Sequence, residues 1–163
     1  MASRHQGEAV IAFIGSNAVD LLPLTPADEA LVEAARAIIR QHYAYGRHHV
    51  GAALRTRQGQ VFTAVNLEAR VGRAAICAEP LALGQALLAG ARDLAAIVAV
   101  RHPRPDEPDQ TIQVVPPCGL CREVLSDHAP DLEVILADQG RLVKCRLLDL
   151  LPFKYRRPQE GWR

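Results

Sequence analysis

The spacing of apolar side chains changes period repeatedly along this chain, and each change marks an element. Leu31, Ala34, Ala35, Ile38 and Ile39 recur at helical spacing through about Gln41. Ahead of them, Thr25-Pro26-Ala27-Asp28 reads as a helix start, with Thr25 as N-cap, Pro26 at the first helical position and Asp28 answering the cap. Residues 49–56 and 61–66 are β-rich runs around a Gly-containing turn, which predicts an antiparallel hairpin. A second helix is predicted from near Cys77 through Leu88, with Gly90 close to its end. Residues 94–100 are continuously apolar, as in a strand buried on both faces. Residues 101–110 mix Pro103, Pro105 and Pro108 with charges and are expected to form an exposed, mobile insert. After Pro116 and Pro117 a short helix is predicted from Cys118 to about His128, then a strand at 132–137 and an amphipathic segment at 147–151. The order α-β-β-α-β-α-β predicts a layered α/β domain built on one mixed sheet.

Length and composition narrow the picture without naming a function. A chain of 163 residues, 49% hydrophobic and 23% charged, suits one globular domain with a proper core. We read residues 1–24 as an N-terminal extension, 25–155 as the domain and 156–163 as a tail. The formal net charge of +1 provides no global field to attract nucleic acid or an anionic membrane. The apolar patch at 9–14 is too short to span a bilayer, and no convincing cleavage site follows it. It is expected to pack on the domain or on a neighbouring subunit. Lys154, Arg156, Arg157 and Arg163 cluster near the end, where a few charges are usually just solvated.

The four cysteines change the picture more. Three of them fall in Cys77-Ala78-Glu79 and Pro117-Cys118-Gly119-Leu120-Cys121, so they form no disulfide framework. Thiolates held for metal fit a reducing cytoplasm. Three thiolates can hold Zn²⁺ and leave its fourth position open, as catalytic zinc sites do. Glu79, beside the first ligand, is placed to move protons to and from a water in that position. Both half-sites fall at predicted helix N-termini, which lower thiol pKa values and stabilise anions. Three thiolates on Zn²⁺ leave a formal charge of −1, so further positive charge is expected nearby, from Arg122 and from Arg70 or Arg73. Cys145 reads most simply as a buried thiol. As a fourth ligand it would instead make the zinc structural.

The pattern of Cys-x-Glu followed by Pro-Cys-x-x-Cys is the zinc-deaminase signature, in which the Glu is acid/base and not a ligand. With Val50-Gly51-Ala52-Ala53-Leu54, Asn66-Leu67-Glu68, the Arg122 that follows Cys121, and Leu150-Leu151-Pro152, the chain resembles the cytidine deaminase superfamily from residue 25 to 152. The likeness is to its small zinc enzymes acting on free nucleosides. That resemblance implies a three-layer α/β/α fold with a five-stranded mixed sheet, Zn²⁺ on Cys77, Cys118 and Cys121, and a homotetramer. It implies hydrolytic deamination of a cytidine-like nucleoside with Glu79 as proton shuttle. It also implies that Asn66 and Glu68 hold a ribose hydroxyl, and that the Ala78 backbone and Glu79 read the base.

Four departures bear on the substrate. His48 stands where family members that use cytidine carry a Phe against the pyrimidine ring. Pro80 stands where many carry an Arg that bonds the thiolates, and Glu123 where a Gln is usual. The insert at 101–110 is longer than the family norm and is expected to border the site mouth. The blasticidin S deaminases, a branch acting on an aminoacyl-nucleoside antibiotic, also lack the Arg and carry a Tyr where Tyr155 aligns. A modified cytosine nucleoside or such an antibiotic is therefore the alternative substrate. Two readings from other classes are a structural-zinc binding module and a nucleic-acid deaminase; near-neutral charge and no basic, aromatic-laced groove argue against the latter.

Overall fold

The predicted capping box opens the first helix. The Thr25 N–H donates to Asp28 Oδ2 at 3.0 Å and the Asp28 N–H donates to Thr25 Oγ1 at 3.3 Å, fixing the start of α1 (Pro26–His42). The computed structural model describes residues 19–155. Around α1 it contains β1 (Leu22–Pro23), β2 (Val50–Thr56), β3 (Val61–Val65), α2 (Ala78–Leu88), β4 (Leu94–Arg101), β5 (Gln113–Val115), α3 (Gly119–His128), β6 (Glu133–Asp138) and β7 (Arg141–Arg146). Short 3₁₀ turns lie at Gly72–Ala74 and Leu147–Leu150. The apolar patch at 9–14 and the tail charges beyond Tyr155 lie outside the described residues. No helix among the described residues is long and apolar enough to cross a membrane.

The strands form one sheet in the order β1-β7-β6-β4-β2-β3, with β5 beside β4. The β4–β6 pair is parallel, joined through α3, and the other described pairs are antiparallel, so the sheet is mixed as expected. On one face α1 sets Leu31, Val32, Ala35 and Ile39 against Ala53, Val98, Val100 and Ile135. On the other, α2 and α3 set Ala82, Leu83 and Leu125 against Ala52, Leu54, Ile97 and Val134. Each fully buried Leu, Ile or Val side chain contributes about 1.5–3 kcal/mol, so these two apolar layers hold the three-layer α/β/α stack together. Small residues set the spacing. A Cβ at Gly51 would lie 2.8 Å from both the Ala35 carbonyl oxygen and Ile39 Cβ, so glycine there lets α1 approach the sheet.

The sheet has seven strands where five were expected. Five are of ordinary length, and β1 and β5 are two- and three-residue additions. Strand β7 carries no obvious apolar run, because Lys144 interrupts it and is itself buried. Its turn is nevertheless legible. Asp138 pairs with Arg141 across Gln139 and Gly140, both at positive φ (45° and 80°), which is a two-residue hairpin loop.

The segment at 101–110 is exposed as expected, but it is not the loose insert its composition predicts. Arg101 grips Glu107 through two bonds of 2.7 and 2.6 Å. Gln110 donates to the carbonyls of Arg104 and Glu107, and the His102 N–H donates to the His49 carbonyl at 2.8 Å. The His102 ring stacks on Tyr43 with centroids 3.8 Å apart. Prolines remove backbone donors, and here side chains supply the missing bonds.

Candidate active site

Two helices that start 41 residues apart in the sequence begin at the same place. Cys77 is the N-cap of α2 and Cys118 the N-cap of α3, both with extended backbone. Cys121 lies in the first turn of α3, fully buried, and its N–H donates to Cys118 Sγ at 3.5 Å. The Cys77 and Cys118 sulfurs are 3.8 Å apart and those of Cys118 and Cys121 3.4 Å, and all three lie within 4.8 Å of one another. Zn–S bonds of about 2.3 Å in a tetrahedron require sulfurs roughly 3.8 Å apart. The donor set therefore fits one zinc ion.

Electrostatics make the same point. Burial pushes the Cys77 thiol up, with the neighbouring thiol of Cys118 and the carboxylate of Glu79 adding to it. Burial also pushes Cys121 up strongly, with Glu79 and the other two sulfurs reinforcing it. Cys118 goes the other way: burial opposes ionisation, but the N–H groups of Cys121 and Leu120 and the adjacent thiols outweigh it and lower its pKa. Three sulfurs and a carboxylate this close cannot all ionise without a cation among them. Cys145 is outside the cluster, buried on β7, where burial and Asp149 push its thiol up to about 11. It is no fourth ligand, so the structural-zinc arrangement lacks its closing residue among the described residues.

Glu79 sits in the first turn of α2, 5% exposed. Burial raises its pKa, against the weaker pull of its own N–H and of the Cys121 thiol. Pro80 follows at the third helical position, where its missing N–H breaks no intrahelical bond. Ala78, the first residue of α2, is fully buried with its methyl group in the core.

A cavity of about 240 Å³ opens over these groups, lined by Cys77, Glu79 and Cys118 together with Val50, Asn66, Glu68, Ala75, Ile76, Val115 and Pro116. Asn66 is almost fully enclosed. Its Oδ1 accepts from the His49 N–H at 2.7 Å and the Val50 N–H at 2.9 Å, and its Nδ2 donates to Glu68 Oε1 at 2.9 Å. Two backbone donors on one atom fix which end of the amide is oxygen. The loop between Glu68 and Cys77 is closed at its neck by paired backbone bonds of 2.9 Å between Leu67 and Ile76, which bring Glu68 and Cys77 to one cavity.

The sequence thus located the thiols, Glu79, Asn66 and Glu68, which come together. It missed the apolar wall of Ala75, Ile76 and Val115, whose only signal is adjacency to the motifs. His48 is half-buried with Nδ1 2.6 Å from the Asn66 carbonyl and is not among the residues that line the cavity. Tyr155 is 72% exposed and lines no part of it. Two of the cations expected to offset the thiolates, Arg122 and Arg70, are engaged or placed elsewhere. Arg122 donates at 2.9 Å to the Pro117 and Leu150 carbonyls, bracing the loop that carries Cys118. Arg70 lines a neighbouring cavity. Glu123, the third departure, accepts from Lys154 at 2.7 Å and ties the end of the domain to α3.

Comparison with known proteins meets this geometry from outside. Residues 25–136 match the model of the cytidine and deoxycytidylate deaminase zinc-binding region. A blasticidin-S deaminase of Bacillus cereus is 49% identical over 130 residues, covering 80% of this chain and 93% of that one. A cytidine deaminase of Halalkalibacterium halodurans is 36% identical over 122 residues, 74% of this chain and 86% of that one. The crystal structure of a cytidine deaminase from Burkholderia pseudomallei superposes with a TM-score of 0.64 at 38% identity, covering 81% of this chain and all of that one. Fold, zinc-ready thiols and sequence agree: the chain belongs to the cytidine and deoxycytidylate deaminase family and is a zinc-dependent aminohydrolase.

Proposed function

We propose that this chain hydrolyses the exocyclic amine of a free cytosine nucleoside, giving the uracil nucleoside and ammonia. The observation that carries the reading is the meeting of Cys77, Cys118, Cys121 and Glu79 with the Asn66–Glu68 pair in one small cavity. Cys77, Cys118 and Cys121 would hold zinc, which when bound would supply the Lewis acidity that makes water a nucleophile near neutral pH. Glu79 takes a proton from that water as its oxygen bonds to the ring carbon, and hands it to the ring nitrogen. A second transfer through Glu79 reaches the amino group as the C–N bond breaks and ammonia leaves. A buried carboxyl with a raised pKa suits a group that must hold and release protons in turn.

Glu68, presented by Asn66, is the hydrogen-bonding group for a sugar hydroxyl, and the Ala78 backbone with Glu79 reads the base. His48 meets the Asn66 carbonyl and acts on the site through Asn66. Tyr155 belongs to a subunit contact in this reading. A homotetramer is supported by exposed apolar side chains on the described surface, among them Val71, Leu120 and Phe153. Thiol ligation favours the cytoplasm.

Blasticidin S is the second substrate reading, favoured by the 49% identical relative of that name and by the breaks at His48 and Pro80. Both are tested by ammonia release from cytidine, deoxycytidine, N4- and 5-substituted cytidines and blasticidin S with zinc-loaded protein. Turnover of cytidine above the rest supports the first reading, and turnover of blasticidin S alone selects the second. No turnover across the panel rejects deamination of these nucleosides.

A further inference from the structure

Three histidines gather where the turn at 43–49 meets the site, and they bond in two different ways. His48 donates from Nδ1 to the Asn66 carbonyl at 2.6 Å, and His102 donates from Nδ1 to the Pro103 carbonyl at 2.8 Å. A carbonyl only accepts, so both contacts survive when the ring gains a second proton. His49 is the reverse. Its Nε2 accepts the Gly46 N–H at 3.0 Å, which requires a ring nitrogen that carries no proton. Among the described residues no backbone carbonyl takes that N–H instead. Gly46 lies at φ 74°, a conformation that glycine enters and leaves freely, so the ring is what pins it.

The turn closed by this bond presents Glu68. The Arg47 carbonyl accepts the Glu68 N–H at 3.1 Å. The His49 N–H donates to Asn66 Oδ1 at 2.7 Å, and Asn66 Nδ2 in turn holds Glu68 Oε1. The His49 carbonyl accepts the His102 N–H, which ties the 101–110 segment to the same residue. The His49 ring stands edge-on to Tyr43 and to Tyr45, with centroids 5.9 Å apart in each pair, and His102 stacks on Tyr43. The charged groups around it are Arg47 on the turn, Glu68 and Arg70 on the loop after β3, and Arg104 on the 101–110 segment. All four line one open hollow with His49, so solvent reaches the ring. Of these residue types, histidine is the one that ordinarily changes charge between about pH 5 and 8.

We propose that His49 is a positioning residue for the deamination. Its neutral ring closes the 43–49 turn and so holds Glu68 in place for the sugar, and a proton on Nε2 undoes that closure and loosens the substrate. This rests on the deaminase reading, in which Glu68 takes a sugar hydroxyl. His49 acts on neither the thiols nor Glu79, so its mark falls on KM and not on kcat.

The test follows KM and kcat of zinc-loaded protein from about pH 8 to pH 5, with cytidine, or with blasticidin S if that is the nucleoside turned over. Wild-type KM should rise about three- to tenfold toward acid pH, the effect of one net hydrogen bond. In His49→Gln the side-chain oxygen accepts the N–H without titrating, so KM should stay near the neutral wild-type value throughout. His49→Phe keeps a ring against both tyrosines but accepts nothing, so its KM should be raised about equally at every pH. A wild-type KM that does not move, or a rise that persists in His49→Gln, overturns the proposal. Nitrogen-15 NMR needs no turnover and separates this from failure of the deaminase reading. The Gly46 and Glu68 amide signals should follow the titration of the His49 ring in wild type and lose that step in His49→Gln. If no nucleoside is turned over, that coupling upholds the role of His49 in placing Glu68, and amides blind to the His49 titration overturn it.

Discussion

The two faces of the sheet each bury one carboxylate at the start of a helix, and they treat it in opposite ways. Asp28, on the α1 face, is fully buried and accepts from the Thr25 N–H and hydroxyl, from Arg55 at 2.7 Å and from Lys144 at 3.0 Å. Burial alone would raise its pKa. The Thr25 and Lys144 hydrogen bonds and the Lys144 charge overcome that and hold it at about 2. Glu79, on the α2 face, has only its own N–H and a thiol to offset its burial, and its pKa is raised. Helix position and burial are nearly the same; partners decide. One carboxylate is locked into its charge, and the other is left free to change it.

The comparison breaks first at Glu79. Glu79→Gln keeps shape and hydrogen bonding but cannot shuttle a proton, so kcat should fall about 10²–10⁴-fold with zinc content unchanged. Ammonia release beside metal analysis checks this, and activity near wild type would remove Glu79 from the chemistry. Asp28→Ala should do the reverse. It leaves the half-buried Arg55 without its carboxylate and Lys144 with Glu133 alone, and should cost about 3 kcal/mol in urea unfolding, with turnover per folded molecule retained.

The same contrast has a pH signature. A carboxyl that folding lowers to about 2 contributes stability that is fully present above its unfolded value near 4 and disappears as pH falls through 2. Wild type should lose about 2 kcal/mol between pH 5 and pH 2 from this group. Asp28→Asn, already without the charge, should show a correspondingly shallower slope, and parallel slopes for the two proteins would contradict the assignment. The smallest effect is at the cap itself. Thr25→Ala removes the hydroxyl from Asp28 but leaves both cations, and should cost about 1 kcal/mol.

The contrast also explains what could be seen in the sequence. Glu79 and its three thiols were legible because their chemistry is written locally: Cys77 two residues before it, and Cys118 and Cys121 three apart. The cap of α1 was legible for the same reason. The partners of Asp28 were not, since Arg55 and Lys144 lie on strands far along the chain and only the sheet brings them to one point. Lys144 also hid β7, because an inward lysine spoils the alternation by which strands are recognised. The segment at 101–110 misled for a related reason: its prolines and charges look loose until Arg101 meets Glu107. Arg122 was read as a counter-charge because it adjoins Cys121, but its donors turn away to two carbonyls.

Asn66 carries a consequence for how such an enzyme changes its diet. It is both a rivet between the two hairpin strands and the arm that holds Glu68 over the cavity. Any replacement unable to accept two N–H groups leaves both donors stranded in the interior, at about 1–3 kcal/mol each. Natural or engineered shifts in substrate are thus steered away from Asn66. They fall on its dependants, Glu68 and His48, which can vary while the hairpin stays riveted.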